Sequence, residues 1–257
     1  MVVRSTPTRV APVLGGLDRR SSFSRRLLGQ ILLVSLAALA YFGVRGLTQG
    51  SIGLAFANAR RIVGAEHWLG IRWEQGLQRG LLDHGALVTA ANWVYIYGHW
   101  PVVIGTLVWL FLRHPLEYPT LRDAMFISGA IGLVIFMAFP TAPPRLVELG
   151  LIDTVTERSS SYRALQPPGL LNKYAAMPSL HFGWNLLVGI AIFRMARHRA
   201  LKVLAVAVPV AMGLAVVVTA NHFVLDVPAG GIVALTGLAL VPVLHRAQRA
   251  AAARRAR

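Results

Sequence analysis

The chain has 257 residues, of which 55% are hydrophobic and only 14% are charged. A water-soluble domain of this length would carry more surface charge, so the composition predicts a polytopic membrane protein. The chain contains no cysteine, which excludes disulfides and thiolate metal ligands. Its net charge of +16 fits either a nucleic acid partner, an acidic membrane surface, or basic residues that flank membrane spans.

The N-terminal part of the chain changes character at residue 27. Residues 1–26 are polar and arginine-rich, and we expect them to form a disordered cytoplasmic tail. Residues 27–47 are apolar over the roughly 20 residues that a bilayer crossing requires. A cleaved signal peptide is the alternative, because Ala38-Leu39-Ala40 has cleavage-like spacing, but the apolar run is long for a signal.

The rest of the chain alternates between apolar and mixed stretches. Residues 50–86 combine apolar side chains with Glu66 and Glu74, which is typical of an interfacial amphipathic helix. Later apolar stretches predict spans two to six at about 88–113, 123–140, 178–196, 203–220 and 222–244. The sequence therefore predicts an all-α, six-helix membrane domain over 27–245, followed by a basic cytoplasmic tail at 246–257.

Lysine and arginine are unevenly distributed between the two sides of these spans. With the N-terminus in the cytoplasm, the cytoplasmic side carries 17 of them and the other side carries 9. This excess favours six spans with both termini inside the cell. The positive charge is then mostly a consequence of topology, and we do not expect nucleic acid binding.

Two histidines and one arginine are predicted to meet at one membrane face. A long extracytoplasmic loop, 141–176, begins in PTAPPRL with Arg145 and leads into MPSLH with His181. His222 follows His181 by 41 residues, which matches two crossings of about 20 residues each and a short turn. Both histidines are therefore expected at the extracytoplasmic face, beside Arg145.

His222 and Asp226 are four residues apart, so on a helix their side chains share a face and can pair. An aspartate inside a span is costly unless it is paired or lines a wet cavity. The pair could also serve only to hold helices together.

The start of the fourth predicted span resembles an anion-binding helix terminus. Pro178 suits the first helical turn, which would leave the N–H groups of Ser179 and Leu180 free for phosphate. Arg145 can add a bidentate contact to phosphate oxygens. The alternatives are that Ser179 only caps the helix and that Arg145 is an interfacial anchor.

Together these groups indicate phosphoryl transfer through a phosphohistidine. His222 would attack phosphorus, and Asp226 would hold its other ring nitrogen. His181 would protonate the leaving oxygen and then activate the acceptor, while Arg145 and Ser179 would stabilise the developing charge. This chemistry needs no metal and no cofactor. A proton-coupled transporter is the alternative from another class, but no internal repeat is visible.

The motifs resemble those of the type 2 phosphatidic acid phosphatase superfamily. Its Pro-Ser-x-His motif is matched by residues 178–181, and its His-x-x-x-Asp motif is matched by His222 and Asp226. The resemblance implies a six-helix membrane enzyme in which these residues have the same catalytic roles. Two of the family's cations are missing, because Ala138 stands at the lysine position and Val216 at an arginine position.

The variants PTAPPR, AAMPSLHFG and TANHFVLD, with NWVYIYGH upstream, are similar to the inositolphosphotransferase branch, over about 60–240. That resemblance implies a phospholipid substrate with inositol or another polyol as acceptor. Hydrolysis of a lipid phosphate or polyprenyl pyrophosphate, with water as acceptor, is the alternative.

Each of the other candidate substrate-binding residues has two interpretations. Tyr95 and His99, four apart in the second predicted span, either line the substrate cavity or hydrogen-bond to each other. Lys173 and Arg163 either replace the missing cations or are solvated loop charges. The sequence thus predicts a multi-pass cell-membrane enzyme with its site on the extracytoplasmic side.

Overall fold

The computed structural model describes residues 13–47, 51–158 and 173–255. Within these ranges the regular secondary structure is helical, and β-structure is limited to an isolated bridge between Thr141 and Ala175. This confirms the all-α fold class. Arg163 lies outside the described residues.

The first helix, α1, covers Val13–Leu47. It includes the 19-residue stretch Phe23–Tyr41, which is long and apolar enough to cross a membrane. The helix begins within the segment 1–26 that the sequence predicts as a disordered tail, and residues 1–12 of that segment lie outside the described residues. The described residues form two compact units with a boundary after Ala40, and every described candidate site residue belongs to the second unit.

Two helices replace the interfacial helix predicted over 50–86. Helix α2 (Ile52–Leu69) is followed by Gly70, whose φ of 70° lies in the left-handed region that glycine adopts without strain. Helix α3 (Glu74–Leu82) follows after a short connection. Neither helix qualifies as a membrane span by length and composition. Both bury acidic side chains, which the sequence alone did not indicate.

The second predicted span is broken. Helix α4 (Gly85–Tyr97) and helix α5 (Trp100–Arg113) meet at an angle of 46°. Pro101 lies in the first turn of α5, where its missing N–H costs no hydrogen bond and where its ring prevents a continuous helix. The next helix, α6, covers Tyr118–Ala138.

The long loop after α6 contains only short helices among its described residues. These are the 3₁₀ turn Pro144–Leu146 and helix α7 (Thr154–Arg158). The amide of Gln78 on α3 ties this loop to the bundle: its nitrogen donates to the carbonyls of Ile152 (2.8 Å) and Val218 (2.9 Å). The loop is therefore held against the helices.

The last three helices carry the centre of the fold. They are α8 (Leu180–Met195), α9 (Arg199–Val218) and α10 (Asp226–Arg255). Helix α8 packs against α9 and α10, and α10 also packs along α6. Residues 246–255, expected as a basic tail, continue α10 as helix, because the run of alanine and arginine favours helix.

Helices α8 and α10 approach each other closely at two glycines. A Cβ on Gly230 would overlap the carbonyl oxygen of Ser179, and a Cβ on Gly183 would lie 2.5 Å from that of Gly230. No side chain fits at either position, so the sequence GG at 230–231 allows the two backbones to touch.

Four helices of the described chain are long and apolar enough to cross a membrane, and the bent α4–α5 pair raises the number to five. Helix α8, at 16 residues, is apolar but shorter. By length and composition alone, the described helices therefore provide fewer spans than the six predicted. In the spanning windows of α6, α9 and α10 only 33–44% of residues are buried, as expected for helices that face lipid on one side.

Candidate active site

The turn between α9 and α10 holds His222. The carbonyl of Val216 accepts hydrogen bonds from the N–H groups of both Asn221 (3.1 Å) and His222 (3.0 Å), which closes the turn. Ala220 takes a φ of 56° within it. His222 therefore precedes helix α10, which starts at Asp226, and the prediction that the two residues share a helix was wrong.

The pair itself forms as predicted. Nδ1 of His222 lies 3.2 Å from Oδ2 of Asp226, and the same oxygen accepts the N–H of Phe223 at 2.9 Å. Both side chains are buried, Asp226 completely. An ionised Asp226 can only accept, so Nδ1 of His222 is the donor of this hydrogen bond.

Ser179 joins the start of α8 to the start of α10. Its Oγ accepts the N–H of Phe182 at 3.5 Å, as an N-cap, and its own N–H donates to the carbonyl of Asp226 at 3.0 Å. Pro178 accordingly precedes the N-cap rather than lying in the first turn, and the N–H of Ser179 is not free as expected. The N–H of Leu180 has no partner among the described residues.

His181, in the first turn of α8, lies between three aromatic rings. Its ring centroid is 5.9 Å from that of His222, 4.9 Å from that of Tyr95 and 4.6 Å from that of His99. The break between α4 and α5 brings Tyr95 and His99 to this place. Both candidates from the second predicted span therefore contact the predicted general acid.

Asn185 is a site residue that sequence reasoning missed. Its side-chain nitrogen donates to the carbonyl of His181 at 2.8 Å and lies 3.0 Å from Nδ1 of His99. An amide nitrogen only donates, so Nδ1 of His99 accepts and the proton of His99 is on Nε2. Asn185 is fully buried, and its spacing of four residues from His181 on one helix was the available signal.

Arg145 reaches the residue next to His222. Its Nη1 donates to Oδ1 of Asn221, and its Nε forms an ion pair with Oδ2 of Asp153 at 3.2 Å. Its backbone N–H also donates to the carbonyl of Ala220 at 3.1 Å. Nη2 has no partner within the described residues, and the side chain is 20% exposed. The arginine is therefore held at the turn with one donor nitrogen available.

The remaining candidates do not join this group. Lys173 is exposed in the described part of the long loop, and no contact links it to the histidines. Val216, at the position of a missing family cation, is buried in the core. Ala138, at the position of the other missing cation, is the last residue of α6 and is exposed. The structure thus identifies no replacement for these cations among the described residues.

Two buried glutamates reach the same turn from α2 and α3. Oε1 of Glu66 accepts the N–H of Leu225 at 2.8 Å, and Oε1 of Glu74 accepts the N–H of Val224 at 3.0 Å. Burial, followed by the hydrogen bond with Glu74, raises the pKa of Glu66 to about 8. Two acids within an apolar segment were visible in the sequence, but nothing there connected them to residues about 150 positions away.

Comparison with known proteins gives one family match and one structural match. A family model described as "PAP2 superfamily" matches residues 60–240. Among solved structures, the crystal structure of Aquifex aeolicus LpxE matches with 16% sequence identity and a TM-score of 0.49, covering 65% of this chain and 93% of that chain. A search of curated proteins found no match to this sequence.

Proposed function

Because the chain belongs to the PAP2 superfamily, we propose that it is an integral-membrane enzyme that transfers a lipid phosphoryl group through a phosphohistidine at His222. One observation carries the proposal. His222 is buried against Asp226 at 3.2 Å, and its ring lies 5.9 Å from that of His181. Two imidazoles at this separation can both reach one phosphoryl group, one as nucleophile and the other as proton donor.

In the first step, Nε2 of His222 attacks phosphorus. The N–P bond forms while the bond from phosphorus to the leaving oxygen breaks, and protonated His181 gives its proton to that oxygen. Asp226 holds the Nδ1 proton and stabilises the positive charge that develops on the ring. The buried position of Asp226 excludes water from this contact, which strengthens it.

In the second step, neutral His181 takes the proton of an acceptor hydroxyl. The acceptor oxygen attacks phosphorus, the N–P bond breaks, and both histidines return to their starting states. No net proton is gained or lost by the enzyme over the cycle.

The developing charge on the phosphoryl oxygens has two stabilising groups nearby. Arg145 has Nη2 available at the turn, and the N–H of Leu180 lies at the start of α8, where the helix dipole is positive. Arg145 is also tied to Asn221. A contact between Arg145 and phosphate would therefore act directly beside the nucleophile.

An apolar cavity supports a lipid substrate. It has a volume of about 320 Å³ and lies against Pro178 and Leu225, the neighbours of the two catalytic segments. Its remaining lining is mainly apolar, with Ile135, Phe139 and Val233 among its side chains and Arg61 as its cation. An acyl or prenyl chain placed there would bring its phosphate to the adjacent histidines.

We assign a polyol such as inositol as the first candidate acceptor and water as the second. The polyol is supported by the stretch NWVYIYGH (92–99), which is similar to inositolphosphotransferases and whose Tyr95 and His99 contact His181. Water is supported by the family, because phosphatases share the same phosphoenzyme chemistry.

The acceptor test uses purified protein and labelled phospholipid or lipid phosphate, with and without myo-inositol. An inositol-dependent lipid product supports transfer to the polyol, and release of free phosphate alone supports hydrolysis. Formation of neither product from any of these lipids would contradict the proposal.

The nucleophile is tested by trapping. Labelled substrate, quenched with alkali, should leave base-stable and acid-labile label on the wild-type protein and none on His222→Ala, whose turnover should fall by about 10³-fold or more. His198→Ala is the matched control, because His198 is exposed at the start of α9. Undiminished turnover by His222→Ala would contradict the phosphohistidine.

The proposed orientation, with both termini cytoplasmic and the site extracytoplasmic, follows from the distribution of basic residues. Since the native chain lacks cysteine, single cysteines can report it. Glu148→Cys, in the loop beside Arg145, should react with an impermeant maleimide from outside intact cells, and His198→Cys should not. The reverse pattern would contradict the orientation.

A further inference from the structure

The proposed mechanism leaves two buried acids without a role. Glu66, near the end of α2, is 1% exposed, and Glu74, at the start of α3, is 5% exposed. Their carboxyl groups accept the N–H groups of consecutive residues, Val224 and Leu225, so the two acids lie close together. Burying two negative charges close together is very costly, so the pair requires a compensating arrangement.

The compensating groups are backbone amides of the catalytic turn. Three consecutive N–H groups donate to three different carboxyl groups: Phe223 to Asp226 (2.9 Å), Val224 to Glu74 (3.0 Å) and Leu225 to Glu66 (2.8 Å). Apart from Asp226, these residues of the turn have no polar side chain that could fix it. The acids of α2 and α3 therefore hold the segment that joins His222 to Asp226.

We propose that Glu66 and Glu74 share one proton and, as a pair, position the catalytic turn so that His222 and Asp226 stay aligned. The inference rests on the proposed function of His222, and it makes the two glutamates positioning residues, since neither contacts a reacting atom. Glu66, the more deeply buried of the two, carries the proton. With the proton in place, the pair carries one negative charge and both carboxyl groups still accept their amides.

The charged groups around Glu66 define how the pair responds to pH. Glu74 on α3 and Asp226 at the start of α10 both oppose ionisation of Glu66, whereas the amide of Leu225 favours it. His222 lies beyond Asp226. Because the pKa of Glu66 is raised to about 8, chiefly by burial, the proton is kept at neutral pH. Above that pH the two carboxylates repel each other and release the turn.

The test compares two substitutions of Glu66. Glu66→Gln keeps an oxygen that accepts from Leu225 and an N–H that donates to Glu74, so it imitates the protonated acid at every pH. Glu66→Ala removes both bonds. Glu117→Gln is the control, because Glu117 is exposed before α6 and its side chain forms no cap.

The first readout is kcat for lipid phosphate turnover across about pH 6 to about pH 10. Wild type and Glu117→Gln should lose activity above about pH 8, and the ratio of Glu66→Gln to wild type should rise over that range. Glu66→Ala should lower kcat by about tenfold or more at all pH values, with a smaller change in KM. A constant ratio, or unchanged kcat in Glu66→Ala, would overturn the proposal.

The second readout does not depend on activity. Hydrogen–deuterium exchange of the peptide that carries the Val224 and Leu225 amides should be faster by about tenfold or more in Glu66→Ala and unchanged in Glu66→Gln at neutral pH. Equal exchange in all three proteins would overturn the positioning role. If no variant turns over lipid phosphate but the exchange differs as expected, the proposed function fails while the positioning of the turn stands.

Discussion

The side chains of His222 and Asp226 pair at 3.2 Å across a turn, and not along one face of a helix. Asp226 is the first residue of α10, and its Oδ2 also accepts the N–H of Phe223 inside the turn. One carboxylate therefore fixes both the ring of His222 and the backbone that carries it. Substitutions at this pair and at the residues around it should therefore have distinct effects on activity and stability.

Asp226→Asn should retain the fold but lose most activity. The asparagine can still accept from Phe223, but it has no negative charge with which to stabilise the charged ring of His222. We expect kcat to fall by about 10² to 10⁴-fold with a small change in KM. Steady-state kinetics with a lipid phosphate will check this, and a variant with nearly normal kcat would contradict the role of Asp226.

His181→Gln should slow turnover according to the leaving group. Without its general acid the enzyme must expel an unprotonated oxygen, so an alkyl lipid phosphate should suffer a loss of about 10² to 10⁴-fold. An aryl phosphate, whose leaving oxygen is stable as an anion, should lose much less. Comparison of the two substrates measures this, and an equal loss with both would argue against proton donation by His181.

Arg145→Lys should reduce transition-state binding even though the charge is kept. The guanidinium contacts Asn221 and Asp153 through two of its nitrogens and leaves the third for phosphate, whereas the donors of lysine all lie on one compact ammonium group. We expect kcat/KM to fall by about tenfold or more. Arg72→Lys, at another basic position outside these contacts, provides the comparison, and equal values for both variants would leave Arg145 without the proposed role.

Gly230→Ala should destabilise the membrane domain. The added Cβ would overlap the carbonyl oxygen of Ser179 and force α8 and α10 apart at the site. Gly105→Ala, in α5, meets nothing within 4 Å and should be neutral or slightly stabilising. Thermal unfolding in detergent distinguishes the two, and similar transition temperatures would contradict the close approach.

Glu66 should make stability depend on pH. Its pKa rises from 4.5 in the unfolded chain to about 8 in the folded one, so between these values the folded protein binds more protons. The free energy of unfolding contributed by this group is then fully present below about pH 4.5 and is lost as pH rises to about 8. The difference in transition temperature between Glu66→Gln and wild type should therefore grow over this range. A pH-independent difference would contradict the raised pKa.

The sequence alone determined the class of the protein and identified most of the residues that we propose as its catalytic set. Long apolar stretches have one physical solution in lipid, the helix, and their lengths were sufficient to predict that His181 and His222 lie at one membrane face. The match to the PAP2 superfamily over 60–240 covers the range that the motifs indicated. The inositolphosphotransferase branch, the acceptor, the membrane orientation and the catalytic and substrate-binding roles of the site residues stay predictions.

Tertiary structure decided what surrounds these residues. The turn at His222 and the N-cap at Ser179 depend on backbone hydrogen bonds that no local spacing specifies. Glu66 and Glu74 reach that turn because α2 and α3 pack beside it, although about 150 residues separate them from it along the chain. Short-range periodicity reports which face of a helix is buried, whereas the partner of a buried acid is set by packing between distant segments.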